Sequence, residues 1–148
     1  MSTTTLPVRL EMKRVLNAPI ERVYAAWTNL DQFIKWFGCT SSKITNIKGD
    51  IRAGGFYRLE LTTETGNHIL EGKYKEVVPL SRLVFSWQWL TPTSNGDGET
   101  WVTVQFRPLQ DKTEIHLVHE GFATDENCEK HTQGWGMGLD RLATFLAA

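Results

Sequence analysis

The hydrophobic pattern of the chain changes period, and this change limits the folds that the chain can adopt. Between residues 42 and 120, apolar and polar residues alternate with period two in about six segments. Beyond Thr124, apolar residues instead recur every three or four positions. A run of strands followed by one long amphipathic helix predicts an antiparallel sheet that buries one face of that helix.

The alternating segments predict seven strands in all. The first strand is expected at Pro7–Leu16. The six later strands are expected at Lys43–Lys48, Phe56–Thr63, His68–Val78, Arg82–Trp89, Thr100–Arg107 and Thr113–Glu120. The turn sequences between them are short, so we expect sequential strands to pair antiparallel. The longest connection, Leu90–Gly98, is expected to be the most mobile loop.

Two short helices are predicted after the first strand. Pro19 suits the first turn of a helix, where its missing N–H costs nothing. The residues that follow place four side chains on one helical face, namely Ile20, Val23, Tyr24 and Trp27. Asn29–Gln32 has the pattern of a capping box that opens a second helix, and Gly38 is expected to end it. The C-terminal helix is expected to follow a Thr124 cap and to run for about 23 residues, roughly 34 Å.

The composition is typical of one globular domain. The chain has 148 residues, of which 41% are hydrophobic, and its 16 basic and 17 acidic residues give a formal net charge of -1. This balance argues against nucleic-acid binding and against attraction to an anionic membrane. The two cysteines do not form a disulfide framework. We therefore expect a single domain over residues 1–148, with residues 1–6 frayed.

The sequence carries no pattern that directs it to a membrane or to secretion. The N-terminus lacks the apolar core of a signal peptide, and no run approaches the roughly 18 apolar residues of a membrane span. The expected location is the cytoplasm, with no membrane insertion and with reduced thiols. Nothing in the sequence sets the oligomeric state, and a monomer and a homodimer both stay open.

The alternation predicts which strand residues face the helix. The expected inward residues are Tyr57, Leu59, Leu61, Leu70, Gly72, Tyr74, Leu83, Phe85, Trp87, Val102, Val104, Phe106, Ile115, Leu117 and His119. Ser86 is expected on the opposite, outward face.

Aromatic residues from the second helix, the sheet and the long helix converge in such an arrangement. Apolar cavities that carry one or two polar groups are typical of sites for small hydrophobic molecules. The expected ligand-binding residues are Trp36, Phe37, Tyr57, Tyr74, Trp87, Val104, His119, Phe122, Trp135 and Leu139. A fully packed aromatic core is the alternative interpretation.

Two further features have more than one interpretation. Gly134, Gly136 and Gly138 lie inside the long helix, where each glycine costs about 1 kcal/mol relative to alanine. They indicate either a close approach of the helix to a strand or to a crowded tryptophan, or else room above the helix or local flexibility that admits a ligand. His119 has three interpretations: a hydrogen-bonded core histidine, a polar anchor for a ligand, or a catalytic base. For the catalytic interpretation, Tyr74 is the one partner to test.

The motifs of metal and cofactor sites are missing from the sequence. His116 and His119 are three residues apart on a strand and therefore point to opposite faces. Cys128 and His131 are one helical turn apart, but no third ligand is indicated. We expect no metal, no cofactor and no assigned catalytic residue.

Five segments, in this order, carry a resemblance over roughly Leu6 to Leu146. They are NAPIERVYAAWTNLDQFIKWFG, GDIRAGGFYRLEL, EGKYKEVVPLSRLVFSWQW, HEGF and GWGMGLDRLATFL. The chain resembles the SRPBCC (START-like, helix-grip) superfamily. Within it, the chain is similar to the bacterial group related to the C-terminal domain of the activator of the 90-kDa heat-shock chaperone ATPase.

The resemblance implies an α+β helix-grip fold. In this fold a seven-stranded curved antiparallel sheet wraps around the long C-terminal helix, and a cavity lies between them. The superfamily shares no catalytic residue. As a function, the resemblance implies first a small cytoplasmic domain that binds an apolar or aromatic small molecule. The alternatives are a protein-interaction module or co-chaperone-like regulator of a chaperone ATPase, and a cyclase/aromatase-type enzyme, so enzymatic activity stays open.

Overall fold

A computed structural model describes residues 8–37, 43–64, 66–91 and 98–147. Three expectations from the sequence concern residues outside these ranges. Residues 1–6, expected to be frayed, and Gly38, expected to end the second helix, lie outside the described residues, and so does most of the Leu90–Gly98 loop.

One antiparallel sheet of seven strands forms the frame of the protein. The strands are β1 (Val8–Leu16), β2 (Lys43–Asp50), β3 (Phe56–Thr63), β4 (Gly66–Val78), β5 (Arg82–Thr91), β6 (Thr100–Leu109) and β7 (Lys112–Phe122). Their order across the sheet is β1-β7-β6-β5-β4-β3-β2, so β1 and β2 are its two edges. The sequence therefore predicts every strand, with boundaries that differ by one or two residues.

In the described part of the chain, three helices accompany the sheet: α1 (Ile20–Thr28), α2 (Leu30–Trp36) and α3 (Asp125–Ala147). The Asn29 side chain accepts the backbone N–H groups of Asp31 at 2.9 Å and Gln32 at 3.4 Å, which caps α2 as predicted. The Thr124 hydroxyl accepts the Asn127 N–H at 3.1 Å and caps α3 in the same way. α3 has the predicted length of 23 residues.

The connection from β1 to β2 positions the two short helices. Because β1 and β2 are opposite edges of the sheet, α1 and α2 after β1 cover part of the face that the sheet presents to α3. α2 packs against both α3 and β2 as a result. The helix pair thus covers one part of the interior that sheet and α3 enclose.

The strand alternation confirms the predicted interior. Every residue expected to face the helix is buried except Gly72, which is half-buried. Leu139, Leu142 and Leu146 of α3 pack against this face in the same core. The sheet therefore grips α3 as the resemblance implied.

Ser86 is buried although the alternation places it on the outward face. It is only 2% exposed, and its hydroxyl accepts the backbone N–H of Lys73 on β4 at 2.8 Å. At Gly72, a Cβ atom would lie 1.9 Å from the Ser86 carbonyl oxygen. This close approach of β4 and β5 requires glycine at position 72.

Candidate functional site

A small cavity lies inside the fold, between α2, α3 and the β2–β5 part of the sheet. Its volume is about 20 Å³, and its wall is almost entirely apolar. The lining residues are Trp27, Leu30, Phe33, Phe37, Ile47, Tyr57, Leu59, Tyr74, Leu83, Phe85, Trp87 and Trp135. None of these residues carries a charge.

The part of the wall that faces solvent lies between α2 and β2. Leu30, Phe33 and Ile47 are only partly buried, whereas the other lining residues are buried. Phe33 stacks on Phe37 with ring centroids 4.5 Å apart, so an aromatic pair covers this side. We call the surface of Leu30, Phe33 and Ile47 the mouth of the cavity.

Half of the predicted ligand-binding residues line this cavity. Phe37, Tyr57, Tyr74, Trp87 and Trp135 contribute to its wall. The other predicted residues are buried nearby without lining it, namely Trp36, Val104, His119, Phe122 and Leu139.

Several lining residues were not predicted as site residues. Leu59, Leu83 and Phe85 belong to the inward faces that the alternation identified, and Trp27 lies on the predicted apolar face of α1. Their place in the wall could therefore have been inferred from the same pattern. Leu30, Phe33 and Ile47 carry no such signal, because the mouth forms only when α2 folds against β2.

The cavity is small for a ligand site. A volume of 20 Å³ accommodates about one water molecule, whereas pockets for organic ligands usually measure at least about 300 Å³. The closed interior therefore resembles the packed core that the sequence left as an alternative. A larger molecule can enter only if side chains of the wall move.

Two tryptophans of the wall carry unpaired hydrogen-bond donors. The indole N–H groups of Trp27 and Trp87 have no acceptor among the described residues, although both atoms are buried. By contrast, the Trp36 indole donates to the Ala26 carbonyl at 2.8 Å. Buried donors without a partner are uncommon and costly, so these two call for an explanation.

His119 is held by a continuous chain of hydrogen bonds next to the cavity. The Trp135 indole donates to His119 Nδ1 at 3.1 Å. Because an indole N–H can only donate, Nδ1 must accept, and the ring proton is on Nε2. That proton goes to Thr100 Oγ1 at 2.7 Å, and the Thr100 hydroxyl donates to the Trp87 carbonyl at 2.9 Å.

This arrangement favours the core interpretation of His119. Burial, with a smaller contribution from the nearby His131, lowers the pKa of His119 from 6.5 to about 2, so the imidazole stays neutral. Both ring nitrogens already have partners, and Tyr74 is not among the aromatic rings that His119 contacts. The described contacts give no acid–base pair of His119 and Tyr74.

The remaining histidine signals also have structural explanations. His116 lies on the outer face beside Glu11, opposite to His119, as the strand period predicts. His131 donates from Nδ1 to the Asn127 carbonyl at 2.8 Å, and its Nε2 accepts the Trp89 indole at 3.1 Å. Within the described ranges, no three His, Cys, Asp or Glu residues are grouped so that they could hold a metal ion.

Close approach to the sheet does not explain two of the three glycines in α3. A Cβ atom built on Gly134 or Gly136 would meet no atom within 4 Å. These two glycines flank Trp135, the one residue of α3 that lines the cavity. The open positions exclude a close approach to a strand at Gly134 and Gly136, and room or flexibility for a ligand at these glycines stays a prediction.

The family model for Activator of Hsp90 ATPase homolog 1-like proteins matches residues 17–147. A curved sheet that grips a C-terminal helix over an apolar interior defines the helix-grip class. Within this class, the chain belongs to the family of Activator of Hsp90 ATPase homolog 1-like proteins. Domains of this fold generally bind hydrophobic ligands.

Solved structures share this fold over nearly their whole length. A protein from Chromobacterium violaceum is 28% identical, with a TM-score of 0.82 over 95% of this chain and 98% of its own. A protein from Rhodobacter sphaeroides is 26% identical, with a TM-score of 0.79 over 94% of this chain and 92% of its own. The AHSA1 protein from Silicibacter pomeroyi, 21% identical, has the same fold with a TM-score of 0.82 over 95% of this chain and 98% of its own.

No curated protein matches the chain. Among the helices in the described ranges, none is long and apolar enough to cross a membrane.

The neutral His119 predicts a specific loss of stability in acid. The unfolded chain binds a proton at His119 near pH 6.5, while the folded state does not do so until about pH 2. Stability therefore falls as the pH drops below 6.5. In urea unfolding, the wild type should lose about 2 kcal/mol more than His119→Gln between pH 7.5 and pH 5.

His116→Gln is the matched control, because it removes a partly exposed imidazole from the same strand. It should keep the acid sensitivity of the wild type. Identical pH dependence in the wild type and His119→Gln would contradict the assignment of a buried neutral imidazole.

The open space at Gly134 and Gly136 predicts a gain of stability on substitution. Gly134→Ala and Gly136→Ala should each raise the free energy of unfolding by up to about 1 kcal/mol, since alanine favours the helix and meets no neighbour. Gly72→Ala is the opposite control, because its Cβ would collide with the backbone. Urea titration measures all three, and a loss of stability at position 134 or 136 would contradict the open geometry.

Proposed function

We propose that the protein binds a small apolar or aromatic molecule between the sheet and α3. The observation that carries this proposal is the cavity, which has an aromatic wall, no charged lining residue and unpaired indole donors at Trp27 and Trp87. A purely structural core would gain from pairing these donors or from omitting them. The established preference of the fold for hydrophobic ligands supports the same conclusion.

We propose further that the ligand enters at the mouth. Leu30, Phe33 and Ile47 are the partly buried part of the wall, so displacing them costs less burial than displacing any other lining residue. Outward movement of α2 would enlarge the cavity while α3 stays bonded through Trp135 to His119. Gly134 and Gly136 give the helix local freedom on both sides of Trp135.

The other two functions receive less support from the described residues. The cyclase/aromatase alternative needs an acid–base pair in the cavity, and His119 is neutral with both nitrogens occupied. The protein-interaction alternative would gain from a contiguous apolar surface. The large exposed hydrophobics of the described chain lie on different elements: Val15 on β1, Ile34 on α2, Phe56 on β3, Val78 on β4, Leu80 in the turn after β4 and Met137 on α3.

A cytoplasmic location stays a prediction, and the choice between monomer and homodimer stays open. Neither affects the test of ligand binding, which uses the purified full chain.

Enlarging the cavity should increase the uptake of an apolar probe. Leu83→Ala adds space next to the cavity, whereas Leu117→Ala removes an equally buried leucine that does not line it. Each substitution should cost about 2–5 kcal/mol of stability. Toluene should raise the melting temperature of the wild type in proportion to its concentration, and should stabilise Leu83→Ala more and Leu117→Ala no more than the wild type.

Circular dichroism first establishes that both variants are folded. No stabilisation of the wild type and of Leu83→Ala by toluene would contradict the proposed site. Equal gains in the two leucine variants would mean that the probe binds elsewhere.

A further inference from the structure

We infer that the ligand is a neutral molecule with a hydrogen-bond acceptor, such as a carbonyl or ether oxygen attached to an aromatic or aliphatic body. The acceptor bonds to the indole N–H of Trp27 or Trp87. This inference rests on the proposed function and specifies its ligand. It comes from the hydrogen-bonding state of the cavity wall.

The wall contains donors that the protein leaves without acceptors. Trp27 is 2% exposed and Trp87 is 6% exposed, so solvent does not hydrate their N–H groups. Both indoles pack against Trp135, with ring centroids 6.0 Å and 5.1 Å from it. Both rings therefore lie beside Trp135 in the cavity wall. Because neither indole nitrogen is exposed, an acceptor reaches the N–H groups only when the wall opens.

The other tryptophans near the interior have their donors paired. The indole N–H groups of Trp36, Trp89 and Trp135 donate to Ala26, His131 and His119. The fold thus supplies acceptors for indoles where it needs no external partner. The contrast singles out Trp27 and Trp87 as groups that an incoming acceptor can satisfy.

The apolar wall also disfavours the binding of a charged ligand. Because no lining residue is ionisable in the physiological range, a carboxylate or ammonium group would lose its hydration without gaining a counter-charge. The lining hydroxyl of Tyr57 already donates to the Ser86 carbonyl at 2.6 Å. A neutral acceptor can pair with the free indole donors without the loss of hydration that a charged group would suffer.

A buried water molecule would satisfy the same indole donors less well than a carbonyl or ether oxygen. A water molecule would fit the volume of 20 Å³. It would accept from an indole, but its own two hydrogens need acceptors, and the wall is almost entirely apolar. A carbonyl or ether oxygen accepts the same bond and brings no unpaired hydrogen.

A pair of probes with one skeleton tests the inference. Acetophenone and α-methylstyrene have the same shape, but the first has a C=O group where the second has a C=CH₂ group. Both are titrated into ¹⁵N,¹³C-labelled protein while the indole N–H resonances and the methyl resonances of Leu59 and Leu83 are recorded. Single Trp→Phe variants assign the indole resonances of Trp27 and Trp87.

The expected result has two parts. Acetophenone should bind between about threefold and tenfold more tightly than α-methylstyrene, the range set by one additional buried hydrogen bond. The indole proton of Trp27 or Trp87 should move downfield with acetophenone alone. The paired indoles of Trp36, Trp89 and Trp135 are internal references, and their protons should not show this downfield shift.

The outcomes separate the inference from the proposed function. If both probes perturb Leu59 and Leu83 with equal affinity, or if acetophenone leaves both indoles unshifted, the inference is overturned and ligand binding stands. If neither probe perturbs these methyl groups up to its solubility, the proposed function fails and the inference fails with it.

Discussion

The hydrogen bond from the Trp135 indole to His119 organises the interior of this protein. It joins the middle of α3 to β7, and the continuation through Thr100 to the Trp87 carbonyl extends the link to β6 and β5. Each group in the chain is buried, so losing one partner would leave another polar atom unsatisfied in an apolar core. The sheet therefore grips α3 with a defined rotation as well as with apolar contacts.

This fixed side of the interior determines what the other side can do. Trp135 and Trp87 line the cavity and are connected by the bonded chain, whereas Leu30, Phe33 and Ile47 line it as partly exposed residues. Under the proposed function, opening the cavity therefore costs least burial at α2. A bonded aromatic side together with a partly exposed side suits a domain that receives small molecules in an otherwise filled core.

The period of the sequence predicted the fold because burial imposes that period. Alternation placed Tyr57, Leu83 and Trp87 on the inner face, and three-to-four spacing predicted α3. The burial of Ser86 was not predicted, because it depends on how closely β4 and β5 approach at Gly72 and on the hydrogen bond from the Lys73 N–H. The lining residues of the cavity were predicted only in part, and the reason is related. Its boundary depends on how α2 seats on β2, which the pattern of either segment alone does not determine.

The unpaired donors show a further limit of sequence reasoning. Six tryptophans are visible in the sequence, but only the folded arrangement distinguishes the paired indole of Trp36 from the unpaired ones of Trp27 and Trp87. The most direct test of the account is an isotope-filtered NOE experiment with acetophenone and the full-length protein. The account predicts contacts from the ligand protons to Leu59, Leu83 and Trp87. Contacts confined to exposed residues such as Phe56 and Val78 would contradict it.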